Sequence, residues 1–171
     1  MKNKLNLMGI LFVSILLATC SGKKETFNLE KQLSKADYVK LKMKKMPSGH
    51  LHLLGKLNGI DGNFILDTGA GATVIEEKNK GKFKMNTKDA EEKATGAGGT
   101  NIQMQSSEKN NFKFDKIEFS NLNLLLMNLD HVNSAFESIG LEKVDGVIGA
   151  DILTNYNAII DYKNLTLYLK K

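Results

Sequence analysis

Apolar and polar residues alternate over several short stretches of the chain, with the period of a half-buried β-strand. The alternation is clear in residues 38–46 (YVKLKMKKM), 101–105 (NIQMQ) and 112–119 (FKFDKIEF). Residues 50–57 (HLHLLGKL) continue as a further strand, and residues 122–129 (LNLLLMNL) read as a strand buried on both faces. Several short strands at close spacing favour an all-β barrel or sandwich.

Turn-forming residues separate the first of these strands. Residues 47–49 (PSG) mark one turn, and residues 58–62 (NGIDG) supply a tight turn into the apolar residues 64–66. The folded region is therefore expected to open with β-hairpins.

In the folded region, the sequence predicts one helix, and it lies in the C-terminal part. Residues 150–156 (ADILTNY) suit one or two helical turns, and residues 157–169 (NAIIDYKNLTLYL) read as two strands joined at residues 162–164. No internal repeat or low-complexity segment interrupts this organisation.

The N-terminus has a different composition. A basic start (MKNK) precedes the mostly apolar residues 5–18, which are too short for a confident membrane span, and Cys20 follows in the sequence LATCSG. This arrangement resembles the signal of a bacterial lipoprotein, which is cleaved before a cysteine that then carries lipid. An uncleaved N-terminal anchor helix is the alternative.

The lipoprotein resemblance divides the chain into three parts. Residues 1–19 would be the signal peptide, and residues 20–37, polar and rich in lysine, would be a tether with room for a short helix. Residues 38–171 would form the folded domain. The protein is then expected in the bacterial cell envelope, held to a membrane by lipid and facing away from the cytoplasm.

Composition sets the size of the fold and narrows the partners. The 171 residues, 42% hydrophobic and 25% charged, supply one core and are too few for two ordinary domains. The net charge of +5 comes entirely from lysines spread along the chain, without arginine and with few interleaved aromatic residues. This is typical of a solvated basic surface, and no nucleic-acid partner is predicted.

Cysteine and histidine give little support for a metal site. The single cysteine excludes an intramolecular disulfide and a four-cysteine metal site. His50 and His52 would share a strand face, but no carboxylate or cysteine of that strand completes a ligand set, so both are interpreted as partly exposed strand residues. His131 stands alone. No metal and no organic cofactor are predicted.

The residues that suggest chemistry are 64–76 (FILDTGAGATVIE). A strand ends at Asp67, and the chain then turns through small residues, which allow another backbone or a ligand to come near. Residues 65–77 resemble the active-site segment of the retropepsin-like (clan AA) aspartic peptidases, with its DTGA signature. Residues 147–153 (VIGADIL) are similar to the second hallmark of that family, and residues 94–100 (ATGAGGT) stand where the family carries its flap.

The resemblance covers roughly residues 48–169 and implies a mainly β fold: a small closed retropepsin-like barrel with one short helix near the C-terminus. It implies that Asp67 is catalytic, that Thr68 and Gly69 support the active-site loop together with Ala70, and that a glycine-rich flap covers the substrate. The flap glycines would be Gly96, Gly98 and Gly99.

Only one Asp-Thr-Gly triplet occurs in the chain. Because peptide hydrolysis by this chemistry uses two carboxylates that share a proton, the second is expected from another copy across a two-fold axis. The prediction is a homodimeric aspartic endopeptidase that acts on a peptide or protein substrate. The alternative is a non-catalytic envelope lipoprotein that uses the same fold as a binding module.

Other motifs are weaker. Residues 69–74 (GAGATV) lack the third glycine of a dinucleotide-binding loop, and no GxSxG nucleophile elbow occurs. Asp145 is interpreted as structural, and Asp151 and Asp161 as a helix-start and a turn residue, because none is followed by Thr-Gly or Ser-Gly.

Overall fold

The fold is that of a computed structural model, which describes residues 27–90, 94–96 and 99–171. The predicted signal peptide, Cys20 and Gly98 lie outside the described residues. The chain divides into two units, Met1–Gln32 and Leu33–Lys171. Within the described residues, no helix has the length and apolar character needed to span a membrane.

Strands, most of them short, make up about half of the described part of Leu33–Lys171. Helix α1 lies at the boundary of the two units, inside the predicted tether, and helices α2 and α3 belong to the larger unit. The helices are α1 Leu29–Ser34, α2 Asp130–Ser138 and α3 Ala150–Asn155, with a 3-10 helix at Glu77–Asn79. The strands are β1 Tyr38–Lys42, β2 Lys44–Lys45, β3 Leu51–Leu57, β4 Ile60–Leu66, β5 Val74–Glu76, β6 Thr87–Asp89, β7 Ala94–Gly96, β8 Gly99–Ile102, β9 Gln105–Phe114, β10 Ile117–Met127, β11 Gly146–Ile148, β12 Ile159–Asp161 and β13 Thr166–Lys170.

Six strands close into a barrel. The order is β3, β4, β11, β5, β10 and β9, and β9 pairs back to β3 through Lys56 opposite Lys113 and Leu57 opposite Phe112. Strands β2 and β6 extend this sheet as additional edge strands. Closure leaves the six strands without a free edge, and it confirms the predicted mainly β, closed barrel fold.

The hairpin between β3 and β4 is tighter than predicted. The turn is only Asn58 and Gly59, both with positive φ (51° and 82°), which is the geometry of a two-residue hairpin. Asp61 and Gly62 belong to β4 instead. Gly62 is there because of packing, since a Cβ at this position would lie 2.5 Å from the ring of Phe64.

The prediction of a single strand at residues 112–119 is wrong. The chain reverses at Asp115 and Lys116, with φ of 49° at Asp115, so this stretch is the end of β9 and the start of β10. The alternation continues through the hairpin because Phe114 and Ile117 face each other across it and both are buried. The alternating pattern therefore did not reveal the two-residue turn, and the ends of two paired strands read as one strand in the sequence.

The barrel core is rich in phenylalanine. Phe64 makes edge-on contacts with Phe112 (4.8 Å between ring centroids) and Phe114 (6.1 Å), and Phe112 stacks on Phe114 at 5.2 Å. Burying each ring contributes about 2 kcal/mol. Residues 122–129 are buried only in part: Leu124 and Leu126 face this core, whereas the prediction had both faces buried.

A second, smaller core lies between the sheet and α2. Ile65 and Val147 pack there with Leu129 and Phe136, and with Val144. Helix α2 was not predicted from the sequence, although Leu129, Asn133 and Phe136 are buried at helical spacing. This helix covers the face of β4 and β11 that is opposite to the barrel interior.

The first and last strands pair with each other. Strand β13 lies between β1 and β12, antiparallel to both, with Leu41 opposite Leu167. The predicted helix at 150–156 and the two strands after it are confirmed as α3, β12 and β13. The outer side of β12 remains an edge of this three-stranded sheet.

Candidate active site

Asp67 is the first residue after β4, at the surface of the barrel. Strand β4 runs parallel to β11, with Phe64, Ile65 and Leu66 opposite Gly146, Val147 and Ile148. The backbone N–H of Asp67 donates to the carbonyl oxygen of Ile148 at 3.0 Å, which extends the pairing by one bond. The buried residues of β4 thus fix the backbone of Asp67, while its side chain is exposed.

The residues after Asp67 hold its carboxylate. The N–H of Gly69 donates to Asp67 Oδ1 at 2.8 Å, and the N–H of Ala70 donates to the carbonyl oxygen of Asp67 at 3.3 Å. A Cβ at Gly69 would lie 3.2 Å from Oδ1, so a larger residue would crowd this bond. The loop orients one carboxylate oxygen and leaves the other without a hydrogen bond among the described residues.

Helix α3 supports the same loop from behind. The N–H of Ala150 donates to the carbonyl oxygen of Ala70 at 2.7 Å. Gly149 precedes the helix, and a Cβ there would lie 2.5 Å from the carbonyl carbon and oxygen of Ala72. The close approach of two backbones therefore requires glycine at position 149, and this explains the glycine of the VIGADIL segment.

Thr73 is a supporting residue that the sequence analysis missed. Its hydroxyl is buried, donates to Asp151 Oδ1 at 2.7 Å and accepts from the N–H of Gly149 at 3.0 Å. Asp151 Oδ1 also accepts from the N–H of Ile152 at 2.8 Å, as expected for a carboxylate at a helix start. The available signal was a threonine between small residues and the buried strand β5.

A groove opens beside Asp67. Its volume is about 370 Å³, and it lies between the residue 48–51 segment on one side and Tyr162 on the other, with Leu66, Asp67 and Thr68 along it. A second hollow of about 360 Å³ lies on the other side of Thr68, lined by Leu153, Ala158 and Ile160 among others. The Asp67 loop therefore stands between two open surfaces.

The glycine-rich segment forms a hairpin. Strands β7 and β8 are antiparallel, with Ala94 opposite Ile102 and Gly96 opposite Gly99. Two of the three predicted flap glycines thus face each other near the tip, and Gly98 lies outside the described residues. As far as the residues are described, this two-stranded unit pairs with neither of the other two sheets.

The carboxylates that could compete with Asp67 are engaged elsewhere. Asp145 is buried and pairs with Lys82 Nζ at 2.7 Å. Asp161 accepts from the N–H and the side-chain amide of Asn164, and these bonds lower its pKa in the turn between β12 and β13. Neither is placed to act with Asp67 within one chain.

The histidines differ from expectation in one respect. His50 is exposed, but His52 is 9% exposed, not partly open as predicted, because its side chain lies on the α2 side of β3. Burial lowers the pKa of His52, and the positive charge of Lys44 lowers it further. No group of three metal-ligating side chains occurs among the described residues.

The site of a single chain contains one exposed, oriented carboxylate in an open groove. A lone carboxylate can accept a proton from water, but peptide hydrolysis also needs an acid to protonate the departing amine. Among the described residues, one chain therefore supplies a single carboxylate, that of Asp67, to this groove.

The fold is that of retropepsin-like aspartic proteases. Residues 54–152, more than half of the chain, match the family model described as "Aspartyl protease". The chain therefore belongs to this aspartyl protease family. No curated protein matches the chain.

Solved structures from several sources have a similar fold. The retroviral protease-like domain of Ddi1 from Leishmania major shares 12% identity over 70% of this chain and 87% of its own, with a TM-score of 0.50. EIAV protease, complexed with the inhibitor HBY-793, shares 19% identity over 80% and 98%, with a TM-score of 0.49. A retropepsin-like aspartic protease from Rickettsia conorii shares 18% over 77% and 87%, also with a TM-score of 0.49.

Proposed function

We propose that the protein is an aspartic endopeptidase in which Asp67 of two identical chains forms the catalytic pair. The observation that carries this proposal is the exposed Asp67 carboxylate, held by the N–H of Gly69 at 2.8 Å inside an open groove. Membership of the aspartyl protease family supports the same chemistry.

Two facing carboxylates cannot both be ionised, so they share one proton. The ionised carboxylate removes a proton from water as the water oxygen attacks the peptide carbonyl carbon. The protonated carboxylate donates to the carbonyl oxygen, which gives a tetrahedral intermediate with two hydroxyl groups. As the C–N bond breaks, the amide nitrogen takes the proton that came from water and leaves as the amine, while one hydroxyl gives its proton to the other carboxylate and becomes the new carbonyl oxygen. One water is consumed, and the pair returns to its starting state with one proton.

The exposure of Asp67 and Thr68 fits a homodimer. The hollow beside Thr68 has an apolar lining that includes Leu153 and Ile160, and the edge strand β12 lies next to it. We propose this face as the contact between copies, because it would bring two Asp67 loops together and cover partly exposed apolar residues.

An extended peptide would lie between the two aspartates and the β7–β8 hairpin, hydrogen-bonded through its backbone much as an added strand is. Closure of the hairpin, through Gly96, Gly98 and Gly99, would exclude water from the reacting bond.

We also propose that lipid on Cys20 tethers the enzyme to a membrane of the bacterial envelope and that residues 20–37 act as the spacer. Anchoring in one membrane would raise the effective concentration of the two copies.

The direct test is the substitution Asp67→Asn, assayed with a mixed peptide library at several pH values. The neutral side chain keeps the size of the carboxylate but cannot accept a proton from water, so kcat should fall by about 10³-fold or more. Mass spectrometry of the products identifies the cleaved bonds.

The matched control is Asp115→Asn in the β9–β10 turn. Asp115 is exposed and has φ of 49°, a conformation that asparagine also tolerates, so this variant should cleave like the wild type. Equal cleavage by wild type and Asp67→Asn would reject the proposed chemistry.

A further inference from the structure

The groove that contains Asp67 also contains an imidazole. His50 lies in the turn between β2 and β3, beside Ser48 and Gly49, and Tyr162 faces the same groove from the β12–β13 turn. The proposed catalytic chemistry uses neither His50 nor Tyr162. Both are therefore available to contact a molecule bound in this groove.

The ring of His50 is held on two sides. Its Nδ1 lies 3.0 Å from the hydroxyl oxygen of Ser48, and the ring packs edge-on against Phe136 of α2, with 5.2 Å between centroids. For the other ring nitrogen, Nε2, the described part of the chain supplies no hydrogen-bond partner. The imidazole is thus positioned, with one polar atom left for a ligand.

Two lysines lie on the strand next to the His50 segment. Asp67 is the one carboxylate among the groove residues, all of which the structure describes. Strand β2, paired with β3, carries the exposed residues Lys44 and Lys45, and Lys45 is in register with Leu51 of the groove wall. The two lysines therefore add positive charge to the strand next to the His50 segment, and Glu142, which acts electrostatically on His52, adds negative charge there.

We propose that His50 is a specificity residue that selects peptides with a glutamate or aspartate side chain beside the cleaved bond. The substrate carboxylate would accept a hydrogen bond from His50 Nε2–H, and its aliphatic part would pack against Tyr162, which is 66% exposed. This inference rests on the proposed function, because it assigns the groove beside Asp67 to substrate.

The test compares peptides that differ in one residue. Glutamate, glutamine and leucine are placed in turn at each position flanking the cleaved bond, and kcat/KM is measured with the full chain in detergent. At one position the wild type should prefer glutamate over glutamine by about tenfold, the size of one charge-assisted hydrogen bond in a partly solvated groove. In His50→Gln this ratio should fall to about one.

His131→Gln is the matched control, because His131 is exposed on α2 and does not line the groove. It should keep the wild-type ratio. Ser48→Ala should give an intermediate ratio, since the ring keeps its Phe136 contact and loses its hydrogen bond at Nδ1. An unchanged ratio in His50→Gln, or no glutamate preference in the wild type at any position, would overturn the inference.

Binding separates this inference from the proposed function. Reduced-amide peptides carrying glutamate or glutamine bind without being cleaved, and calorimetry gives their Kd ratio for each variant. If the wild type cleaves nothing, the proposed function fails while this ratio still decides the role of His50. A glutamate preference in binding that His50→Gln abolishes supports it, and equal Kd values for both peptides reject it.

Discussion

At the scale of single residues, Asp145 is a carboxylate that joins three segments of the chain. It accepts from the N–H of Asn63 at 2.9 Å, from the side-chain amide of Asn79 at 2.8 Å and from Lys82 Nζ at 2.7 Å. Its side chain is 11% exposed, whereas that of Lys82 is 40% exposed. The carboxylate therefore ties β4 and the 3-10 helix to the start of β11.

Replacing Asp145 by alanine should lower the free energy of unfolding by about 2–3 kcal/mol, because the N–H of Asn63 loses its acceptor in a buried place. Urea unfolding followed by circular dichroism measures this loss. Asp61→Ala is the control: its pair with Lys56 is exposed, so the change should be within about 0.5 kcal/mol. Equal effects of the two substitutions would contradict the interpretation of Asp145.

His52 makes stability depend on pH. Burial and Lys44 lower its pKa below the ordinary value of 6.5, Glu142 opposes this, and no partner for Nε2 is found within the described residues. The unfolded chain therefore takes up the proton more readily than the folded chain does. Above pH 6.5 His52 is neutral in both states, and its burial costs no protonation energy. As the pH falls from 6.5 through the lowered pKa, the unfolded chain binds the proton first, and the free energy of unfolding decreases.

We expect the urea concentration at the unfolding midpoint of the wild type to decrease when the pH is lowered from 7.5 to 5. In His52→Gln the fall should be smaller, since the group that titrates is gone, and in His131→Gln it should equal that of the wild type. The same slope in all three proteins would show that His52 does not contribute.

At the scale of elements, the loop that follows Asp67 and helix α3 act as one unit. Thr73 joins them through its bonds to Asp151 and to the N–H of Gly149, and Ala150 adds a backbone bond to Ala70. Helix α3 has only six residues, so its position depends on these bonds more than on its own helical stability.

Thr73→Val should therefore shift the loop that holds Asp67. Valine has nearly the shape of threonine but leaves the N–H of Gly149 without its acceptor, so the free energy of unfolding should fall by about 1–3 kcal/mol. On the proposed function, kcat should fall more than KM changes, because the carboxylate is displaced. Thr73→Ser keeps the hydroxyl and should restore kcat; failure of serine to do so would exclude the hydrogen bonds as the cause.

The sequence predicts the elements whose signals are local. The strand at residues 50–57, the turn at Asn58 and Gly59, and the short helix after Gly149 all appear in the structure, as does the strand that leads to Asp67. The interpretation of Gly62 as a turn residue was wrong. Glycine is needed there because a Cβ would meet the rings of Phe64 and Phe83. Contacts of this kind depend on tertiary packing.

The role of Thr73 could not be predicted for a similar reason. Its partner Asp151 is 78 residues away in the chain, and both residues have ordinary local explanations. Helix α2 was missed because its apolar residues are few, and only the second core of Ile65 and Val147 makes them a buried face. The position of Asp67 directly after a strand could be predicted, because the apolar residues 64–66 and the small residues that follow are visible in the sequence.

At the scale of the whole molecule, one chain supplies one carboxylate of the proposed pair. The barrel is closed, and β1, β13 and β12 form a separate sheet whose edge strand β12 borders the hollow beside Thr68. Asp67 is exposed in the single chain, and its loop lies between that hollow and the groove. Symmetric pairing across this face would complete the site without any change inside the barrel.

Mixing experiments test this pairing quantitatively. If two copies contribute one Asp67 each, inactive Asp67→Asn chains that exchange with wild-type chains should reduce activity more than dilution does. At equal amounts and random pairing, about one quarter of the dimers contain two wild-type chains, so the measured rate should be about half of that given by the wild-type chains alone. A chain that works as a monomer would keep its full rate in the mixture.

The control is the double variant Asp67→Asn, Ile160→Lys, in which a charge in the proposed contact should prevent pairing and abolish the inhibition. Inhibition that survives this charge would assign the contact to another face, and the absence of any inhibition after complete subunit exchange would refute the shared site.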